Sequence, residues 1–362
     1  MSAAQRTPLL AVKSKEGELQ ALLNTTEVND RVQVMVELLD SVSSDGSVIK
    51  KVVNFCVASA SRGRPVWVDT TWLTRASDLG ASPRAVLERL EHDIEENSGL
   101  FSTCSEQPCL IPVVSLSTDD EGLRAIRMFL EHRRRPVVVR ARRPSLPTAE
   151  LLRTLDRIAT TLRLGTDEMH LVFDEGYVRK LETHRVDALV DNITGLANRN
   201  EYASVSVLAG SSPRERGDYE THLRQRVEVE LWKVVQEASG KRIRYGDYGV
   251  VHPDPQKSRE GWGLPNPYIH YTVPGATLSI ARQIPERKGN SVPPGSAERY
   301  FLQVADELVR RPEFAGADFS WGDRNLYTCR KRPNPQVGSA SKWIAFATSH
   351  HATHVSRSLD VP

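Results

Sequence analysis

The feature that most constrains this chain is an alternation. Short apolar, β-branched runs are followed repeatedly by stretches whose apolar residues recur at helical spacing. Residues 8–12 form the first apolar run and 17–23 read as the first helix. Strands are then expected at 32–39, 65–69, 110–116, 136–140, 169–173 and 202–208. Helices are expected between them, at 49–58, from Pro83 through 94, up to about Glu131, and at 148–158, 187–197 and 219–238. Pro83 suits a helix start. Thr118 and Glu121 have the spacing of a capping box. A last strand begins at 243–245 and runs into Gly246-Asp247-Tyr248-Gly249.

Strand then helix repeats seven times, and an eighth strand closes the series. Units of roughly 25 to 40 residues suit βα repeats rather than hairpins. Eight of them over roughly 250 residues match a (β/α)8 TIM-like barrel. A doubly wound open sheet uses the same alternation, but no GxGxxG turn follows the first strand, which favours the barrel. Residues 1–250 are therefore assigned to the barrel. Residues 251–362 are read as C-terminal elaborations packed on it in the same domain. They comprise a polar loop at 252–267, a hairpin of strands at 268–272 and 276–284, and an amphipathic helix at 296–310. A turn-rich packing element at 314–323, a loop at 331–341 and a closing helix at 342–359 complete them.

A length of 362 residues allows one large domain or two ordinary ones, with a core that needs no staples. Net charge is +2, from 48 basic and 46 acidic residues, so the total points to no polyanionic partner. The four cysteines, Cys56, Cys104, Cys109 and Cys329, form no CxxC pair. Cys104 and Cys109 could pair in a loop, but reduced thiols are the simpler reading. Residues 1–7 carry no apolar h-region, and no run reaches the roughly 18 apolar residues of a membrane span. We expect a cytoplasmic protein without a membrane partner.

In a barrel of this kind, residues at the C-terminal strand ends converge on one mouth. The candidates are Lys13, Glu37, Asp69, Ser115, Arg140, Asp174, Ser211, Ser212, Arg244, Tyr245 and Asp247. Such a mixture of charge is costly to bury unless paired, so a solvated working mouth is the expectation. Asp69, Asp174 and Asp247 are the catalytic candidates, for acid/base work or for a divalent ion such as magnesium bound through oxygen. The cofactor itself stays open. Lys13 and Arg140 would clamp an anion, while Glu37, Ser211 and Tyr245 would line the pocket. A capping or ion-pair role is the competing reading for each acid taken alone. A slip of one residue would turn any of these side chains to the helix layer.

No HxH, DxD or HExxH spacing accompanies these strands. We expect no histidine on the eight strands, which counts against a zinc hydrolase. His350 and His354 share a face of the last helix, with His351 about 100° from His350. They are structural or capping residues, an i, i+4 metal pair, or a lid lending an imidazole such as His350 to the site. The basic residues 132–135 and 140–143 fall at opposite ends of the barrel. With 6% aromatic content and no aromatic–basic interleaving, they argue against nucleic acid.

Several rare clusters, taken together, resemble one family. Pro8-Leu9-Leu10 with Lys13, Lys15, Gly17-Glu18-Leu19 and Ala21-Leu22 is similar to the opening of the beta protein family of tailed phages and bacterial genomes. Arg244-Tyr245-Gly246-Asp247-Tyr248-Gly249 with His252-Pro253 resembles its late signature. Phe319-Ser320-Trp321-Gly322-Asp323, and Trp343 followed by His350-His351, resemble its closing pieces. The resemblance spans nearly the whole chain. It implies an association with phage and mobile-element biology but no reaction. The chain departs from the pattern at His270-Tyr271, where the family tends to have Arg-Tyr. It departs again at Ala281-Arg282-Gln283, where the family tends to have Arg-Gly, so Arg282 alone would remain there to hold an anion.

Two functions compete. One is a barrel hydrolase acting on a phosphate-containing or otherwise small anionic ligand. The other is a non-catalytic recognition or interaction subunit of a defence system, with a protein partner; both readings sit in a setting of host–phage conflict.

Overall fold

β-branched and apolar residues recur wherever the chain runs extended, and in the computed structural model these runs close a barrel. Residues 7–25, 28–80, 82–98, 108–143, 146–199, 201–214, 219–255, 266–289, 291–330 and 337–358 are described. The eight parallel barrel strands are β1 (Leu9–Lys13), β2 (Gln33–Glu37), β3 (Val66–Asp69), β4 (Leu110–Ser115), β5 (Val137–Arg142), β6 (Met169–Tyr177), β7 (Ser204–Gly210) and β9 (Arg244–Asp247). β9 pairs with both β7 and β1 and so closes the ring. The TIM-like (β/α)8 architecture expected from the alternation is the one observed.

The helices of the outer layer are α1 (Glu16–Leu23), α2 (Ser47–Ala60), α3 (Pro83–Asn97), α4 (Asp120–His132), α5 (Thr148–Leu162), α6 (Thr183–Ala197) and α7 (Val227–Ser239). Ser82 caps α3 by accepting the Ala85 amide, with Pro83 in the first turn. Asp119, not Thr118, caps α4 by accepting the Gly122 amide at 2.8 Å. The carboxylate one residue on displaces the expected capping box, and the Thr118 hydroxyl accepts the Ser115 amide instead.

The expected helix at 219–238 is two elements, β8 (Thr221–Gln225) followed by α7. β8 leaves the barrel series and pairs antiparallel with β11 (Ala276–Ala281), which pairs in turn with β10 (Tyr268–Val273). The expected hairpin is therefore the greater part of a three-stranded sheet. The turn-rich element at 314–323 leads into a further helix, α9 (Trp321–Thr328), capped by Ser320. With α8 (Ser296–Arg310) and α10 (Ala340–Ser358), these pieces bury a second core around Tyr271, Leu278, Ile280, Val304, Leu308 and Phe346. α10 lies against α1 and α9 at positions where glycines admit close backbone approach. A Cβ on Gly17 would meet the Ser341 carbonyl, and one on Gly322 the Phe346 carbonyl.

Cys56, Cys109 and Cys329 are buried. Cys104, and with it the 104–109 pairing, lies outside the described residues, as do parts of the loops at 252–267 and 331–341. No helix among the described residues is long and apolar enough to cross a membrane.

One barrel strand does carry a histidine, contrary to expectation. His170 lies near the start of β6, its ring centroid 5.0 Å from that of Trp67 and its Nδ1 2.8 Å from the Ser204 hydroxyl. Burial, and then the charge of Arg244, push its pKa down to about 3. Because the folded value lies below the ordinary one of about 6.5, stability contributed by this neutral ring falls as pH drops from about 6.5 toward 3. In an NMR titration the His170 ring signals should stay at their neutral positions between pH 7 and pH 5. A midpoint near 6.5 would contradict this.

Candidate functional site

Alternation along each strand decides which side chains enter the barrel. The interior is filled by Leu9, Ala11, Met35, Trp67, Ile111, Val113, Val138, Val172 and Leu208. Two residues beyond the last of these on their own strands stand Lys13, Glu37, Asp69, Ser115, Arg140 and Asp174. All six therefore enter the same interior at the C-terminal end of the barrel. On β7 the equivalent position is Gly210, where a Cβ would press on Pro253 and the Tyr248 ring. The missing side chain leaves room for Tyr248, which closes the layer beside β9.

Arg140 is the hub of that layer. Its Nε and NH2 donate to Asp174 Oδ2 at 3.0 and 2.7 Å, and NH2 lies 2.7 Å from Glu37 Oε1. NH1 donates to Asp69 Oδ2, and NH2 also reaches the Tyr248 hydroxyl at 2.6 Å. Tyr248 donates in turn to Asp174 Oδ1 at 2.7 Å. Further donors reach these acids, while Glu37 Oε2 has no hydrogen-bond partner among the described residues. Thr71 and Gly176 amides donate to Asp69 and Asp174, and the Trp72 indole donates to Glu37. Lys13 Nζ stands 3.6 Å from Glu37 Oε2.

Burial alone would lower the pKa of Arg140. Tyr248, Asp174, Glu37 and Asp69 together outweigh it and push the value up. Burial would likewise raise Asp174, but Arg140, Arg142 and the Tyr248 hydroxyl hold it below the usual carboxylate range. Burial and the neighbouring acids raise Tyr248, which stays a neutral phenol.

Asp247 and Tyr245 do not join this layer. They alternate with Gly246, whose Cβ position faces Leu9, so they turn outward on the side of Ile243 and the helix layer. There Arg226 donates to the Tyr245 hydroxyl and to Asp247, each at 2.7 Å, and Tyr245 donates to Asp247 at 2.6 Å. From α10, His351 Nε2 meets Asp247 at 3.0 Å, and its Nδ1 lies 2.7 Å from the Thr272 hydroxyl. Burial would raise Asp247, but His351, Arg226 and Tyr245 hold it far below the ordinary range. The last helix does lend an imidazole to a strand-end acid, but through His351.

His350 belongs to the second core. Its Nδ1 is 2.9 Å from Asp323 Oδ2, its Nε2 is 2.7 Å from the Thr272 carbonyl, and its ring stacks on Tyr271. Arg282 lies past β11 and pairs with Glu307 of α8. Ser211, just beyond β7, is buried with its hydroxyl 3.5 Å from the Gln225 carbonyl. Arg244 occupies the opposite end of β9 from Asp247, its guanidinium 5.3 Å from the Trp67 ring. Burial and Arg64 lower it to about 10. Tyr248 and Arg142 are the members that strand-end reasoning passed over.

A cavity of about 630 Å³ opens beside this layer between the ends of β3, β4 and β5. Arg140, Arg142 and Arg143 contribute all the formal charge among its described lining residues. Thr70, Thr71, Ser115, Ser117 and Thr118 add hydroxyls. Arg142 stacks 4.3 Å from the Trp72 ring and reaches Asp254 on its outer side. Arg143 is half exposed and holds a left-handed backbone at φ 43°. Among the described residues, no group of three or more His, Cys, Asp or Glu side chains is arranged to hold a metal ion.

The profile of the Beta protein family matches residues 7–357. The chain belongs to that family. A search of curated proteins returns no match. Among solved structures the chain is similar to a GH138 enzyme targeting pectin rhamnogalacturonan II, at 10% identity and a TM-score of 0.39. That likeness covers 68% of this chain and 34% of the enzyme, so this Beta protein family member spans about a third of the enzyme's length.

Replacing Arg140 with methionine would leave Glu37, Asp69 and Asp174 buried without their shared cation. We expect a loss of about 3–5 kcal/mol at pH 7 in urea unfolding. The sign of the pH dependence should also change. In the native chain Asp174 has a depressed pKa, so its stabilisation is present above the ordinary carboxylate value and fades as pH falls. In the variant the acids are best accommodated protonated, so the deficit shrinks near pH 4.5. A loss under about 1 kcal/mol at pH 7 would show that the hub is not a dominant contact.

Proposed function

We propose that the barrel mouth binds a small anionic ligand, bearing phosphate or carboxylate, in the cavity between the ends of β3, β4 and β5. The observation that carries this is the wall itself: three guanidinium groups and five hydroxyls, with no acid among its described residues. Its volume falls within the roughly 300–1,000 Å³ usual for small-molecule sites. Arg142 is held flat by Trp72 and Arg143 is kept in a strained backbone at the rim, as side chains in recognition sites often are. A guanidinium presents a planar fork suited to two oxygens of one anion.

The acids behind the wall support binding more than hydrolysis. Asp69 and Asp174 each already face Arg140, and Asp174 is kept ionised, which makes it a poor proton donor. Their role in this proposal is to fix Arg140, while Arg142 and Arg143 meet the guest. The hydroxyls suit a ligand with additional polar groups, such as a sugar phosphate or a nucleotide.

Thermal-shift and calorimetric titrations with phosphate-bearing and carboxylate-bearing compounds test this. A ligand at a hundred times its Kd should stabilise the fold by about 2.7 kcal/mol. The Arg142→Ala, Arg143→Ala double variant should bind at least tenfold more weakly, and added salt should weaken native binding. Failure of every such compound to shift the transition, or unchanged affinity in the double variant, would remove the proposal.

A further inference from the structure

On another side of the mouth lies a smaller cavity of about 170 Å³, and no described residue lines both cavities. Lys13, Lys15, Glu18, Arg214, His252 and His270 contribute to its wall. We propose that this is a second, separate site, which takes a small oxyanion such as inorganic phosphate or a short carboxylate on the Lys13 ammonium.

The ammonium itself is the main observation. Lys13 is 2% exposed and lines the cavity, yet its Nζ has no hydrogen-bond partner among the described residues. Its ion-pair partner Glu37 stands at 3.6 Å, beyond hydrogen-bond reach, and the Tyr248 ring centroid lies 5.0 Å from it. An ammonium has three N–H donors, and a buried donor group left unsatisfied is costly. An acceptor in the adjoining cavity relieves that cost.

The acids on the wall do not supply this acceptor. Glu16 is engaged by Lys51 at 2.9 Å, and Asp254 by Arg142 and Arg214. Glu18 accepts the backbone amide of Lys13 at 3.0 Å. Burial raises its pKa and favours the neutral carboxyl, which repels an anion less and can donate to it. Burial lowers the pKa of Lys15, a shift that a bound anion would oppose. The volume is below the roughly 300 Å³ of drug-sized sites, so a guest of a few heavy atoms is the fitting class.

Selenate soaked into crystals of the full chain, located by its anomalous signal, tests the position. Calorimetric titration with inorganic phosphate, and separately with acetate, tests the chemistry and separates the two kinds of oxyanion. We expect a selenate peak within about 3.5 Å of Lys13 Nζ. Phosphate or acetate affinity should fall about threefold in Lys15→Met, which leaves the Lys13–Glu37 pair intact, and at least tenfold, about 1.4 kcal/mol, in a folded Lys13→Met. Arg143→Ala should not change it. A selenate peak at Lys13 without one at Arg142 and Arg143 keeps this site and counts against the larger one. A water alone on Lys13, selenate only at the arginines, or affinity for both anions unchanged in Lys15→Met would overturn it.

Discussion

One buried guanidinium organises the working end of this molecule. Arg140 enters the buried barrel interior and gathers Glu37, Asp69 and Asp174 from three other strands. A charge in that position is tolerable only because the acids and the Tyr248 hydroxyl surround it, and the acids are tolerable only because of the charge. The five ionic side chains of the layer carry two positive and three negative charges. Arg142, 3.6 Å from Asp174, supplies the third positive charge from the rim. With Arg142 the charges balance at three positive and three negative: the inner acids hold Arg140 in place, and the side turned to the cavity presents guanidinium groups rather than acids.

The C-terminal third acts on the barrel through a second and separate buried network. Asp247 leaves β9 on its outer side and is held by Arg226, Tyr245 and His351. Thr272 joins His351 and His350 to β10, and Asp323 continues the chain of contacts into α9. This chain of polar contacts ties strand, added sheet and final helix into one unit. It accounts for the adjacent histidines of the closing helix. One ring reaches the barrel and its neighbour reaches the added core.

Much of this was legible in the sequence, because alternation in a strand carries both fold and facing. Counting two residues on from Ala11, Met35, Trp67, Val138 and Val172 leads directly to Lys13, Glu37, Asp69, Arg140 and Asp174. The same count went astray in β9, where Asp247 is the conspicuous acid. Ile243 faces the helix layer, so Tyr245 and Asp247 face it too, and the inward positions belong to Gly246 and Tyr248. A glycine gives no apolar mark of the inner face, and the strand is short. The segment 221–225 was hidden for a different reason. Its extended form depends on pairing with β11, some fifty residues later, which no local pattern records. His170 is plain in the sequence as the second residue of β6.

The layer depends most on Arg140 being held among Glu37, Asp69, Asp174 and the Tyr248 hydroxyl. Exchange of its Nε–H proton, followed by ¹⁵N NMR at neutral pH, measures that directly. The account predicts a signal that persists, protected like the slowest backbone amides and released only on global unfolding. A proton exchanging as fast as that of a solvent-exposed arginine would mean that the layer opens, and the assignment of Arg140 as a fixed hub would not stand.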